Sequence, residues 1–80
     1  MMSDEQQARF AIRISAEDYL RYYKGQAKQV IVNAHDGRRV QFPAGWLQPF
    51  VTHTGIQGLF VLRFDGSNKL IGLEKTGELP

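Results

Sequence analysis

The chain has 80 residues, no cysteine and a formal net charge of +2. That length makes one domain and not two, and it buries only roughly 60% of the surface the unfolded chain exposes. The missing cysteines exclude disulfides, thiolate metal sites and thiol chemistry, and they suit a reducing cytoplasm, which is the expected compartment.

The N-terminal stretch, residues 1–8, is polar and acidic and lacks the basic start and apolar stretch of a signal peptide. It is expected as a disordered tail, with a single α+β domain over 9–75 and a C-terminal tail over 76–80. No apolar run has the length needed to span a bilayer, so no membrane partner is expected.

From Arg9 to Ile14 apolar and polar residues alternate. Phe10, Ile12 and Ile14 share one face, which predicts a half-buried strand. Ser15 and Asp18 then have the spacing of a helix cap, and Glu17 and Asp18 suit the positive end of a helix dipole. The spacing of Ala16, Leu20 and Tyr23, with Tyr19 at the margin, predicts a helix over 16–24 that Gly25 terminates.

Residues 27–34, around Val30, Ile31 and Val32, predict a second strand. Asp36-Gly37 predicts a hairpin with a two-residue type I′ turn. That turn pairs His35 with Arg38, Asn33 with Val40 and Ile31 with Phe42, and it places Ile31, Val40 and Phe42 in the core. Pro43 lacks an N–H and ends the third strand.

Residues 44–51 have neither period, and predict a turn or short helical turn. Residues 52–55 are loop. Gly58, Phe60, Leu62 and Phe64 share a face of a fourth strand over 56–64. A turn at Asp65-Gly66-Ser67-Asn68 leads into a fifth strand over 69–75, with Ile71 and Leu73 inward. The order is β-α-β-β-β-β. The expected architecture is a strongly bent, five-stranded antiparallel sheet, a half-open small barrel, with one helix between strands 1 and 2.

Three stretches of this sequence together resemble a known family. They are residues 14–25 (ISAEDYLRYYKG), residues 36–43 (DGRRVQFP) with 47–56 (LQPFVTHTGI), and residues 64–75 (FDGSNKLIGLEK). They are similar, in colinear order, to a bacterial family of small uncharacterised proteins known only as domain-of-unknown-function family 2835. The resemblance implies a bacterial, proteobacterial source and assigns no catalytic or binding residue.

The residues themselves predict no enzyme. His35 and His53 are the two histidines, without the companion ligands a zinc site needs, so no metal and no cofactor are expected. Neither a nucleophile elbow nor a phosphate-binding glycine loop is present. Arg9-x-x-x-Arg13 and Asp65-x-Ser67 resemble fragments of the PilZ cyclic-di-GMP signature. However, Leu70 stands where that pattern has glycine, so cyclic-nucleotide binding is the remote alternative.

Two binding classes remain. Charge is uneven: residues 9–39 carry seven basic residues against three acidic, and residues 40–80 carry three of each. Arg21, Tyr22, Lys24, Lys28, Arg38 and Arg39 are the candidate polyanion contacts, because cations neutralise phosphates and tyrosines stack on bases. An ordinary solvated surface is the plainer account of the same residues. Trp46, Leu47 and Phe50 are the candidate protein interface, since three large apolar groups are many for an irregular segment. Core closure is the plainer account of these. A non-enzymatic protein-interaction or adaptor module, or self-association, is the favoured expectation, with nucleic-acid binding the alternative.

Overall fold

A computed structural model describes residues 5–23 and 28–79, without the side chains of 21–23. The expected helix terminator Gly25 and residues 1–4 of the tail expected over 1–8 lie outside the described residues, and residues 6–8 belong to the first strand. Five strands and two helical segments follow in order: β1 (Gln6–Ser15), α1 (Ala16–Tyr23), β2 (Gln29–Asn33), β3 (Arg39–Pro43), a 3₁₀ segment (Ala44–Phe50), β4 (Gly55–Phe64) and β5 (Leu70–Gly77).

The strands form two antiparallel sheets, β1-β4-β5 and β2-β3, and the barrel does not close. This corrects the expectation of one bent five-stranded sheet. The β2–β3 hairpin meets the free edge of β1 only near its own turn, where the His35 N–H donates to the Arg9 carbonyl (2.7 Å). Otherwise it packs face-on. Phe42 of β3 stacks on Phe10 of β1 at 5.8 Å, and Phe10 stacks on Phe60 of β4 at 6.3 Å. Aromatic faces between layers, not a continuous ladder, join the two sheets.

Period-two burial carries most of this core. Ala8, Phe10 and Ile12 of β1 and Ile56, Phe60, Leu62 and Phe64 of β4 are buried on one face. The β1–β4 register runs from Gln6 opposite Phe64 to Ser15 opposite Gly55. There β1 hands over to α1, and Ser15 Oγ accepts the Asp18 N–H (3.1 Å), which makes Ser15 the helix cap. The buried stripe of α1 runs through Tyr19, and Leu20 stays about half exposed, so Tyr19 takes the place that spacing gave to Leu20.

The first hairpin departs from expectation by one residue. Ala34 N–H donates to the Arg38 carbonyl (2.7 Å) and Gly37 N–H to the Ala34 carbonyl (2.9 Å). Gly37 has φ +92°, and Asp36 does not share a positive φ. This is a three-residue loop, a type I turn followed by a left-handed residue, in place of type I′. The extra loop residue shifts the register, so Val30 faces Phe42, Ile31 faces Gln41 and Val32 faces Val40. One step of slip turns every side chain of β2 over. Val30 is therefore buried, and Ile31 lies outside, 53% exposed.

The second turn repeats that design. Asp65 N–H donates to the Lys69 carbonyl and Asn68 N–H to the Asp65 carbonyl, both at 2.9 Å, and Asn68 takes the left-handed position at φ 66°. Asparagine tolerates that region, so it serves where Gly37 serves in the first turn. A register shift between Arg63 and Phe64 then leaves Ile71 as the extra residue of a bulge. Consequently Leu70 and Leu73, and not Ile71, pack against the core.

Candidate functional site

Arg38 fixes the turn end of the β2–β3 hairpin onto β1. Its Nη2 donates to the Gln7 carbonyl (2.6 Å), and its guanidinium lies 5.6 Å over the Phe64 ring. Its Nε also pairs with Asp36 Oδ2 (2.6 Å). The Arg38 backbone N–H and guanidinium hold the Asp36 carboxyl below the usual aspartate range, and partial desolvation opposes them.

Pinned this way, β3 stands away from the β4–β5 hairpin and leaves a cleft of about 430 Å³ between them. Leu62, Phe64 and Leu70 form its floor and Val40 its wall. Its rim carries Arg38, Arg39 and the amides of Gln6, Gln41 and Asn68. Two guanidinium groups and no carboxylate line it. Arg39 is exposed and makes no hydrogen bond or ion pair with the described residues. An apolar floor below a few polar anchors is the usual build of a binding cleft, and the volume is within the range of such sites.

Two smaller hollows lie elsewhere, one beside Arg38 and one at the far end of β1. One, of about 280 Å³, lies on the other side of Arg38 and takes in Arg9 and His35. The other, of about 300 Å³, is lined mostly by apolar groups of Tyr19, Leu20 and Val51, where α1 meets the end of the 3₁₀ segment.

The structure brings together only part of the polyanion set. Arg38 and Arg39 share the cleft rim. Lys28 is exposed just before β2, at the opposite end of the hairpin, where its carbonyl accepts the Ala44 N–H. Arg21 and Tyr22 side chains and all of Lys24 lie outside the described residues. Helix α1 begins beside Ser15, while Arg38 is tied to Gln7. Eight residue steps, about 26 Å at ~3.3 Å each, separate those two points of β1. Helix α1 therefore starts far from the hairpin end, and among the described residues Arg38 and Arg39 are the members of the set that come together.

The apolar set closes the core. Leu47 is wholly buried, which removes it from any surface. Trp46 and Phe50 are partly buried against the same cluster, and Phe50 meets Phe60 edge-on at 5.2 Å. The 3₁₀ segment is a lid on the sandwich: of the expected protein interface Trp46, Leu47 and Phe50, Leu47 is corrected to core, and Trp46 and Phe50 keep part of their surface.

The PilZ-like fragments do not converge. Arg9 and Arg13 point outward from β1, opposite Val61 and Gln57. Asp65 Oδ1 accepts the N–H groups of Ser67 and Lys69 (both 2.9 Å), so it builds its own turn. His35 and His53 are both exposed, and among the described residues no three His, Asp or Glu side chains gather as a metal site would require.

Sequence reasoning missed Gln6, Gln41, Asn68 and Leu70, which come from four separate segments. The Arg38-Arg39 doublet behind Asp36-Gly37 was the only local signal of the cleft. Among the described residues no helix is long and apolar enough to cross a membrane.

The family described as "Protein of unknown function (DUF2835)" matches residues 6–76. No curated protein and no solved structure matches the chain.

Proposed function

The chain belongs to the DUF2835 family, which brings no assigned activity with it, and we propose that it is a small non-enzymatic binding module that takes a protein partner in the cleft under Arg38 and Arg39. One observation carries this reading: two guanidinium groups and no carboxylate rim a hollow whose floor is Leu62, Phe64 and Leu70. Amides, guanidinium groups and hydrocarbon orient a ligand. They do not shuttle protons near neutral pH, so the lining speaks for binding and against turnover.

A protein fits this lining better than a nucleic acid does. A phosphate backbone is held by a row of cations, and here only two meet at the rim. A hydrocarbon floor suits an inserted side chain and gains nothing from a sugar–phosphate chain. The test is capture from a lysate of the source cell, with and without nuclease, by the native chain, Arg39→Glu and Arg13→Glu. Both positions are exposed, and only Arg39 touches the cleft. Proteins lost with Arg39→Glu, kept with Arg13→Glu and indifferent to nuclease are the expected result. Identical captures by all three chains would refute the cleft as the site, and loss on nuclease treatment would move the assignment to nucleic acid.

A further inference from the structure

The backbone of β3 borders the cleft, and its hydrogen-bonding pattern is fixed by the ends of the hairpin. Ala34 N–H donates to the Arg38 carbonyl at one end, and Ala44 N–H to the Lys28 carbonyl at the other. In an antiparallel pair, hydrogen-bonded and non-hydrogen-bonded positions alternate. With Val32 opposite Val40 and Val30 opposite Phe42, the N–H and C=O groups of Val40 and Phe42 point to β2. Those of Arg39 and Gln41 therefore point the other way. The β2–β3 sheet has two strands, so among the described residues no strand meets that edge.

Side chains alternate across the same strand. Val40 and Phe42 turn inward, while Arg39 and Gln41 are exposed on the outer face. A strand laid along β3 would follow this pleat. Its residues on the inner face would enter the cleft over Leu62, Phe64 and Leu70. Those on the outer face would lie beside Arg39, whose charge has no partner among the described residues.

Accordingly we propose that β3 accepts an extended segment of a partner protein as a third strand of its sheet, and that the segment alternates apolar with acidic residues. This rests on the cleft being the binding site and adds how the partner is held. Main-chain bonds to Arg39 and Gln41 supply a sequence-independent grip, and the cleft and Arg39 supply the choice of side chain. Unpaired edges are ordinarily defended, and this one is short, with a cation at one end and Pro43 at the other. Those features turn away indiscriminate and basic strands but leave an acidic, alternating one acceptable.

The probe is an end-capped hexapeptide that alternates glutamate and valine, titrated into the full chain. Amide exchange and chemical shifts are followed by NMR. In the free protein the Arg39 and Gln41 amides should exchange rapidly and those of Val40 and Phe42 slowly. At peptide about ten times its Kd, exchange at Arg39 and Gln41 should slow about tenfold, because only the free state exchanges. Two N-methylated peptides, one modified at every glutamate and one at every valine, should differ, since only one set of amides can face β3. Arg39→Glu should reject the glutamate peptide and accept its lysine counterpart.

Protection of Arg39 and Gln41 in the free protein, or no saturable binding at millimolar peptide, would overturn the proposal. Peptide binding that shifts cleft residues but leaves those two amides unprotected would overturn strand addition and leave the cleft itself standing. Failure of the cleft shows separately, as unchanged protein capture by Arg39→Glu.

Discussion

Replacing Ile31 by alanine separates the two registers of the first hairpin. In the observed register Ile31 faces Gln41 on the outer surface and is 53% exposed. Full burial of such a side chain stabilises by about 1.5–3 kcal/mol, so its half-buried stem contributes about 1 kcal/mol, and truncation loses about 0.5–1. Had Ile31 faced inward opposite Phe42, the same change would cost about 2–5 kcal/mol. A domain of this size has roughly 4–12 kcal/mol in all and loses about 4–8 °C of Tm per kcal/mol. The expected fall is therefore about 2–8 °C, against about 8–40 °C for the inward register. Val30→Ala supplies the contrast: Val30 is 4% exposed, and losing its methyl groups costs about 2 kcal/mol with the cavity included. Thermal and urea unfolding followed by circular dichroism measure both, with an unchanged m-value as the sign that the denatured state is the same. An Ile31→Ala loss equal to or larger than that of Val30→Ala would refute the three-residue loop.

At the left-handed position of the same turn, Gly37→Asn should be nearly neutral, because Asn68 already fills the matching position of the second turn. Gly37→Val should cost about 1–2 kcal/mol through the backbone alone, since a Cβ there meets nothing within 4 Å; equal Tm values for the two variants would count against this. Gly55 has φ +113°, and a Cβ would fall on the backbone oxygen of Ile14. Gly55→Ala should thus unseat the corner between β1, α1 and β4, read as loss of the two-state transition or a midpoint far below that of the native chain; a near-native melt would show that this corner relaxes. Asp36 should titrate below the aspartate of an unfolded chain, because the Arg38 N–H and guanidinium favour its charged form. A depressed folded-state value gives stability that is present above the unfolded value and is lost as pH falls through the folded one. A carboxyl NMR titration checks this, and a midpoint at or above the unfolded value would contradict it.

What the sequence showed, and what it hid, follows from the range of the interactions. Phe10 and Ile12, the even residues of β4 and the Ser15 cap are set by neighbours within a few positions, and all were legible. The first hairpin was legible in place but not in phase. Asp36-Gly37 serves two turn types, and the choice between them rests on whether Val30 or Ile31 enters the core. The bulge at Ile71 is of the same kind, since it is needed only so that Leu70 and Leu73 both reach the core. Likewise Trp46 and Leu47 look alike in a string, and only packing places Leu47 wholly inside. The cleft is the least local feature. Its floor and rim come from β1, β3, β4 and the turn into β5, and no spacing rule links Gln6 to Leu70.

The longest seam of the molecule has a consequence for how the chain assembles. The β1–β4 ladder joins Gln6 to Phe64 and Ser15 to Gly55, so about half the chain or more lies between partners. The two hairpins are closed by loops of three residues and can form in about 1–10 μs. β1 has no such neighbour, and its loop must close before any of its contacts reward the closure. Meanwhile its free edge receives His35 and Arg38, which hold the second sheet in place. The first of the five described strands in chain order is thus the one on which completion waits. With closure of the β1–β4 seam as the slow step, substitutions along it should slow folding, and so should substitutions in the β2–β3 turn that forms before it.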